Sequence, residues 1–169
     1  MDINLVSPSE IDSVMVLVKG AIEEMEREGI RQWDEIYPTK ERFLADTSVN
    51  SLFAARVENM IAGVIVLNEI QSPEYGSIIW AESNGKPLII HRLCVSPGFQ
   101  GQGLAKKLMF FAEKYAREKK YNSIRLDAFV QNNISVGLYN SLGYLRRGQV
   151  RFRKGYFYCF EKILQDDDD

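Results

Sequence analysis

Histidine and cysteine are scarce in this chain, and their scarcity limits the chemistry available to it. The 169 residues include one histidine, His91, and two cysteines, Cys94 and Cys159. A zinc site needs several such ligands at close spacing, so we expect no metal centre. Both cysteines lie in apolar stretches, where a reduced thiol behaves as a small core side chain.

Long apolar runs and an excess of either charge are also missing. No run approaches the ~18 residues of a membrane span, and Met1 to Asn4 lack the basic region of a signal peptide. The 21 Lys and Arg against 23 Asp and Glu give a net charge of −2, which disfavours binding to a nucleic-acid backbone. We therefore expect a cytoplasmic protein with neither a nucleic acid nor a membrane as its partner.

The composition instead favours one globular domain. With 46% hydrophobic and 26% charged residues, the chain has enough apolar surface to form a core. No repeat or linker divides it, so we assign residues 1–165 to a single domain. The acidic run 166–169 is expected to be a disordered tail, because like charges repel one another.

Turn and periodicity signals predict alternating strands and helices. Ser7 to Glu10 has the spacing of a capping box and predicts the start of the first helix, and Gly148 is expected near the turn of a final hairpin. The predicted order is β-α-α-β-β-β-α-β-α-β-β, with strands near 3–6, 51–57, 61–67, 87–95, 123–130, 144–147 and 151–163. This order predicts an α+β (mixed α/β) fold, with helices on the faces of a mixed sheet.

The segment from Gln100 to Lys106 carries the clearest chemical signal. It joins a predicted strand to a long helix and contains Gly101 and Gly103. Glycines let a ligand approach the backbone, and the first amides of a helix have no partner within it. Together with the helix dipole, this pattern predicts a site for a phosphate or pyrophosphate of a nucleotide-like cofactor.

Two nucleotide-binding motifs fit this turn poorly. A phosphate-binding loop of NTPases needs Gly-Lys-Ser/Thr, but Gly103 is followed by Leu104 and Ala105. A dinucleotide fingerprint would need a third glycine where Lys106 stands, although Asp127 could imitate its ribose-binding acid. About 66 residues remain after the turn, too few for the further β-α units of that fold.

The turn resembles the Gln/Arg-x-x-Gly-x-Gly/Ala motif of the GNAT superfamily of acyl-CoA-dependent N-acetyltransferases. A second segment, Asn132 to Tyr144, resembles the Asn-x-x-Ala/Ser-x-x-Leu-Tyr…Leu-Gly-Phe/Tyr element of that superfamily. The two motifs occur in the expected order, separated by a predicted helix and strand. The resemblance covers nearly the whole chain and implies a GNAT-like domain, with a mostly antiparallel sheet of about six to seven strands flanked by four helices.

The resemblance also implies acetyl-CoA as co-substrate, with no metal. It implies that backbone groups of the strand at Leu93 to Val95 pair with the pantetheine arm. It implies that the turn from Gln100 to Lys106, the glycine turn, holds the pyrophosphate, and that the second motif also contacts the cofactor. The implied cofactor-binding residues are Leu93, Cys94, Val95, Gln100, Gly101, Gln102, Gly103, Leu104, Ala105, Lys106, Asn132, Ser135 and Tyr139.

The mechanism implied is direct transfer in a ternary complex. A neutral amine attacks the thioester carbonyl, a backbone amide near Val95 stabilises the oxyanion, and Tyr139 protonates the departing CoA sulfur. The alternative for Tyr139 is a plain core position. Cys94 has no second histidine or paired acid to activate it, so a buried structural thiol is favoured over an acylated nucleophile.

Three further residues are candidates with two interpretations each. The unperturbed pKa of a histidine side chain is ~6.5, so His91 is a candidate general base, or else a half-buried histidine bonded to a neighbour. Regular alternation along its strand would place it on the face of Leu93 and Val95. Trp33 and Tyr37 are candidates for acceptor binding, because the family's acceptor site is commonly lined by the segment between the first two helices, or else they are packing residues.

The leading functional hypothesis is an N-acetyltransferase acting on a primary amine of a small molecule, an amino acid or a peptide. The alternative is a non-catalytic acyl-CoA-binding regulatory module. A homodimer formed through the terminal strands is also open, since many members of the family pair in this way. The acceptor itself is not encoded by any motif.

Overall fold

Within residues 1–165, which the computed structural model describes, strands and helices follow the predicted order. The acidic run 166–169, predicted to be disordered, lies outside the described residues. The strands are β1 (Asp2–Leu5), β2 (Leu52–Val57), β3 (Met60–Asn68), β4 (Pro87–Val95), β5 (Ser123–Phe129), β6 (Leu145–Phe152) and β7 (Gly155–Ile163). The α-helices are α1 (Ile11–Arg27), α2 (Lys40–Ser48), α3 (Leu104–Glu118) and α4 (Asn133–Ser141).

Side-chain caps explain where the first two helices begin. The Ser7 amide donates to the Glu10 carboxylate at 3.1 Å, so the predicted capping box is present ahead of a short 3₁₀ turn and α1. The Arg42 amide donates to the Thr39 hydroxyl at 3.1 Å and fixes the start of α2. Among residues 1–165, none of the helices combines the length and the hydrophobicity of a membrane-spanning segment.

The seven strands form one mixed sheet with the order β1-β2-β3-β4-β5-β7-β6. The pairs β1/β2, β2/β3, β5/β7 and β6/β7 are antiparallel. The pair β4/β5 is parallel, with Pro87 to Ile89 in register with Ser123 to Arg125. Within residues 1–165, the predicted mixed sheet of about six to seven strands with four helices is confirmed, and the sheet has seven strands.

The chain packs as two compact units. The first unit contains Met1–Leu67 and His91–Phe111, and the second contains Asn68–Ile90 and the described residues from Ala112 onward. Because β4 and α3 each contribute residues to both, the units are not successive domains along the chain.

The core of the first unit lies between α1, α2 and strands β2 and β3. Residues of α1 at three- and four-residue spacing are buried here, as the periodicity predicts. The buried cluster is formed by Val6, Ile11, Val14, Leu17, Val18, Ala21, Trp33, Phe43, Leu52, Ala54, Val64, Val66 and Cys94. The Cys94 side chain thus belongs to this core, and the second half of β4 is fixed by it.

The final hairpin differs from the prediction at Gly148. The turn falls at 153–154, and Gly148 lies inside β6, where the register with β7 shifts between Arg146 and Gly148. A Cβ atom at Gly148 would lie 2.7 Å from the Ile78 Cδ1 atom. The glycine therefore marks a bulge with a close side-chain approach, which the sequence does not distinguish from a turn.

Candidate active site

The turn between β4 and α3 leaves its backbone open. Gly101 and Gly103 have φ angles of +77° and +75°, a region that residues with a Cβ atom rarely adopt. A Cβ atom at either position would meet no heavy atom of the described chain within 4 Å. The Gln100 side-chain amide donates to the Val95 carbonyl at 3.3 Å and ties the turn to the end of β4.

The start of α3 supplies backbone amides beside this turn. The Lys107 amide donates to the Gly103 carbonyl at 3.1 Å, so residues 104–106 precede the first bonded amide of the helix and have no acceptor within it. Leu108 Cδ1 lies only 3.0 Å from the position that a Gly63 Cβ would take, which shows how closely α3 packs on β3. The rigid helix end carries a partial positive charge and is suited to a diphosphate.

Strand β4 is irregular at Arg92. Its φ angle of +50° lies in the left-handed region, which costs about 1–2 kcal/mol for a residue with a side chain. Regular alternation is interrupted here, so strand spacing does not place His91 on the face of Leu93 and Val95. His91 is half-buried. Its role as a base stays a prediction.

The Cys94 thiol is a core group. The residue is 6% exposed, and burial raises the pKa of its thiol to about 12. At neutral pH the thiol is protonated, and a protonated thiol is a poor nucleophile. This favours the structural interpretation of Cys94 over the acylated one.

An ion pair that no sequence motif indicates lies at the irregular position of β4. Arg92 donates to both carboxylate oxygens of Asp46, from Nε at 3.0 Å and from Nη2 at 2.8 Å. Its Nη1 donates to the Tyr37 hydroxyl at 2.8 Å. Burial raises the pKa of Asp46 despite the attraction of Arg92. The sequence signal for this pair is limited to Arg92 itself, a charged residue that follows His91 in a largely apolar strand.

The two predicted acceptor-binding residues have different surroundings. Trp33 is 8% exposed and belongs to the core cluster of the first unit, so packing accounts for its position. Tyr37 is 39% exposed, and its hydroxyl accepts the bond from Arg92. Contact of either residue with an acceptor stays a prediction.

In the second unit, Asn132 forms the start of α4. Its side-chain oxygen accepts a hydrogen bond from the Ser135 amide at 3.1 Å, which caps the helix. The second sequence motif is therefore a capped helix, and Tyr139 follows on it. The cofactor contacts predicted for Asn132 and Ser135 are additional to this cap and stay predictions.

Tyr139 is buried among aromatic rings. Its ring centroid lies 6.2 Å from that of Tyr144 and 5.8 Å from that of Phe160. Burial, together with the nearby Asp127 carboxylate, raises the pKa of Tyr139. The phenol is therefore protonated throughout the neutral range, as a proton donor must be.

A second buried pair, Tyr75 and Asp127, accompanies Tyr139. The Tyr75 hydroxyl donates to Asp127 Oδ2 at 2.6 Å. Burial raises the pKa of Asp127 to about 6, and the bond from Tyr75 opposes that rise. In the sequence, Asp127 is recognisable only as a possible ribose-binding acid and Tyr75 carries no signal, because no spacing rule links residues 52 positions apart.

We expect the Asp127→Asn substitution to remove a pH-dependent loss of stability. The folded pKa exceeds the unfolded value of about 3.9, so ionisation of Asp127 destabilises the fold as the pH rises through both values. The difference is worth about 3 kcal/mol between pH 4 and 7. Urea unfolding at four pH values should show that the free energy of unfolding of the variant rises relative to that of the wild type as the pH increases from about 4 to 7. Tyr75→Phe should extend this pH range upward, because the bond from Tyr75 lowers the pKa of Asp127. A pH-independent difference for Asp127→Asn would contradict the raised pKa of Asp127.

Comparison with known proteins agrees with the sequence motifs and the fold. The model of the acetyltransferase (GNAT) family matches residues 17–144. The chain is 25% identical to the uncharacterized N-acetyltransferase YesJ of Bacillus subtilis, over 92% of this chain and 86% of that protein. It is 27% identical to rat N-acetyltransferase 8F1 over 59% of its own length, but the match spans only 41% of the rat protein.

Solved structures give the same result. A GNAT-family acetyltransferase from Streptococcus agalactiae is 26% identical with a TM-score of 0.86, covering 98% of this chain and 96% of that one. The PaiA N-acetyltransferase of Thermoplasma acidophilum, solved in complex with coenzyme A, shares the fold at 18% identity and a TM-score of 0.73, over 96% of this chain and 98% of that one.

Proposed function

We propose that this chain, which belongs to the acetyltransferase (GNAT) family, transfers an acetyl group from acetyl-CoA to a primary amine. Membership of that family, together with relatives named N-acetyltransferases, makes it an acyltransferase. The observation that carries the cofactor assignment is the open glycine turn before α3, where two left-handed glycines precede amides with no acceptor within the helix. The coenzyme A complex of the Thermoplasma protein supports the same choice of cofactor.

Two groups of residues in the first unit are proposed to hold acetyl-CoA. Backbone amides of Gln100 to Ala105, with the exposed Lys106 beside them, bind the diphosphate. Backbone groups of Leu93, Cys94 and Val95 bind the amide-bearing pantetheine arm as an added strand would. The register of β4 on β5 ends at Ile89, before these residues.

The chemistry proposed for the chain is direct transfer. The thioester supplies the activated acetyl group, a backbone amide near Val95 stabilises the oxyanion, and Tyr139 donates a proton to the departing sulfur. Asn132 and Ser135 remain proposed cofactor contacts. His91 is proposed to take a proton from the incoming amine, directly or through water.

We expect Cys94→Ala to retain turnover within about threefold, because its protonated thiol takes no part in direct transfer. The substitution removes a core sulfur but leaves the backbone of β4 in place. Steady-state rates of the purified variant test this expectation. Intact-mass analysis of wild type treated with acetyl-CoA should show no added acetyl group, whereas an adduct that disappears with Cys94 would point to a covalent intermediate.

Thiol release from acetyl-CoA across a panel of amines tests the proposed function. The panel should include an α-amino acid, a dipeptide with a free N-terminus, a lysine-containing peptide blocked at that end, and a linear polyamine. Release that depends on an added amine supports the enzyme. Binding of acetyl-CoA without release would favour a regulatory module.

A single domain over 1–165, a cytoplasmic location and a homodimer stay predictions.

A further inference from the structure

We propose that Arg92, Asp46 and Tyr37 position the loop 30–38, and that they set the affinity of the enzyme for its amine acceptor. We call these three residues the Arg92 clamp, and residues 30–38 the acceptor loop. The inference rests on the proposed function, because it assigns the acceptor loop to the same reaction. It is carried by contacts within the first unit.

The clamp joins three separate parts of the first unit. Arg92 comes from β4, Asp46 from α2, and Tyr37 from the loop that connects α1 to α2. The side chains of Arg92 and Asp46 are only 7% and 5% exposed. The two bonds from Nε and Nη2 to the carboxylate fix the plane of the guanidinium. Arg92 therefore presents its remaining Nη1 donor to Tyr37 in a fixed direction.

The acceptor loop is held at two points. Near its beginning, Trp33 is buried in the core cluster, and near its end the Tyr37 hydroxyl accepts the bond from Arg92. Between these points the Asp34 carboxylate accepts hydrogen bonds from the amides of Ile36 and Tyr37, at 3.0 and 3.3 Å. The loop is therefore ordered before any ligand arrives, and a preorganised loop loses less entropy on binding.

The clamp also connects the loop to the irregular part of β4. Arg92 has the left-handed φ angle that interrupts the strand, and its side chain makes the contacts with α2 and the loop. Such a backbone conformation persists only where its surroundings hold it. The same residue thus fixes the backbone just before Leu93 and Val95 and the loop proposed to contact the acceptor. Because Asp46 neutralises the guanidinium, the clamp positions the loop without offering an unpaired cation to the acceptor.

Tyr37→Phe removes only the hydroxyl of the clamp and is the primary test. We expect faster amide exchange within residues 30–38, by about tenfold, measured by mass spectrometry on the full chain. With the panel amine that turns over fastest, the KM for the amine should rise about tenfold, while kcat and the KM for acetyl-CoA stay within twofold. This split separates positioning from a general loss of structure.

Tyr121→Phe is the matched control, since it also removes a hydroxyl, one that donates to Glu69 at 2.7 Å in the second unit. It should leave both the loop exchange and the KM for the amine unchanged. Arg92→Lys keeps the charge but loses the bidentate fork, and it should change the exchange and the amine KM in the same direction as Tyr37→Phe. If Arg92→Lys does not fold, Tyr37→Phe decides alone.

The outcomes separate this inference from the proposed function. A wild-type protein that neither binds acetyl-CoA nor releases thiol with any panel amine refutes the proposed function, and with it the assignment of the loop to an acceptor. A wild-type protein that turns over, with loop exchange and amine KM unchanged in Tyr37→Phe, overturns the inference alone. A fall in kcat with an unchanged amine KM also overturns it, because Tyr37 would then act in the chemistry.

Discussion

Replacing Gly103 by glutamate should weaken acetyl-CoA binding by about 200-fold. A carboxylate about 5 Å from a diphosphate charge costs about 3 kcal/mol at an effective dielectric constant of 20, and that energy corresponds to a factor of about 200. A side chain at a φ angle of +75° adds a cost of about 1–2 kcal/mol to the fold. Isothermal titration with acetyl-CoA measures the change in affinity.

Gly29→Glu is the matched control for this substitution. Gly29 has a φ angle of +76°, and a Cβ there would also meet no described atom within 4 Å. It lies beyond the end of α1, so the control reproduces the strain and the charge away from the glycine turn. We expect its affinity for acetyl-CoA to match the wild type. Equal affinities for the Gly103 variant and this control would refute the placement of the diphosphate.

Removing the Tyr139 hydroxyl should lower kcat by about 100-fold, with the KM for acetyl-CoA changed less than twofold. A positioned general acid contributes about 10²–10⁴ to a rate, and Tyr139→Phe deletes the proton while keeping the ring. The contacts of that ring with Tyr144 and Phe160 remain available to phenylalanine. Thiol release at saturating amine gives kcat.

Tyr144→Phe controls for the loss of a buried hydroxyl in the same aromatic cluster. The Tyr144 hydroxyl donates to Glu113 Oε1 at 3.1 Å, so its removal should lower the free energy of unfolding by about 1 kcal/mol. Its kcat should nevertheless stay close to that of the wild type. An unchanged kcat in Tyr139→Phe would eliminate Tyr139 as the proton donor, and equal losses in both variants would indicate a structural effect.

Local signals in the sequence were sufficient for most of the fold. Helix starts at Ser7 and Thr39 follow from side-chain caps that use residues three positions away. The glycine turn and the Asn132 cap are likewise complete within a few residues, and the structure has both. These interactions join residues that are close together in the sequence, so they can be predicted without tertiary information.

Contacts between distant segments could not be predicted in this way. Arg92 and Asp46 are 46 residues apart, and only the assembled sheet and helices bring them together. Tyr75 and Asp127 are likewise joined by tertiary packing and by no motif. Burial in the folded chain raises the pKa values of Asp46 and Asp127, against the opposing effects of Arg92 and Tyr75. Composition and periodicity contain neither the burial nor the partners.

Gly148 shows the limit of a local signal that is present. A glycine is needed in a turn where φ is positive, and it is needed in a strand where a neighbouring group leaves no room for a Cβ atom. The residue type is the same in both cases. In β6 the neighbour is Ile78, which is 70 positions away in the chain. The sequence contains the glycine but does not show the close approach of Ile78 that requires it.

The most direct test of the account is an amide NMR titration of the full chain with coenzyme A and, separately, with pantetheine. If the diphosphate lies on the glycine turn, the amides of Gln100 to Lys106 shift with coenzyme A and stay in place with pantetheine, which lacks the diphosphate. If these amides do not shift with coenzyme A, or if they shift equally with both compounds, the diphosphate does not lie on the glycine turn and the central claim is contradicted.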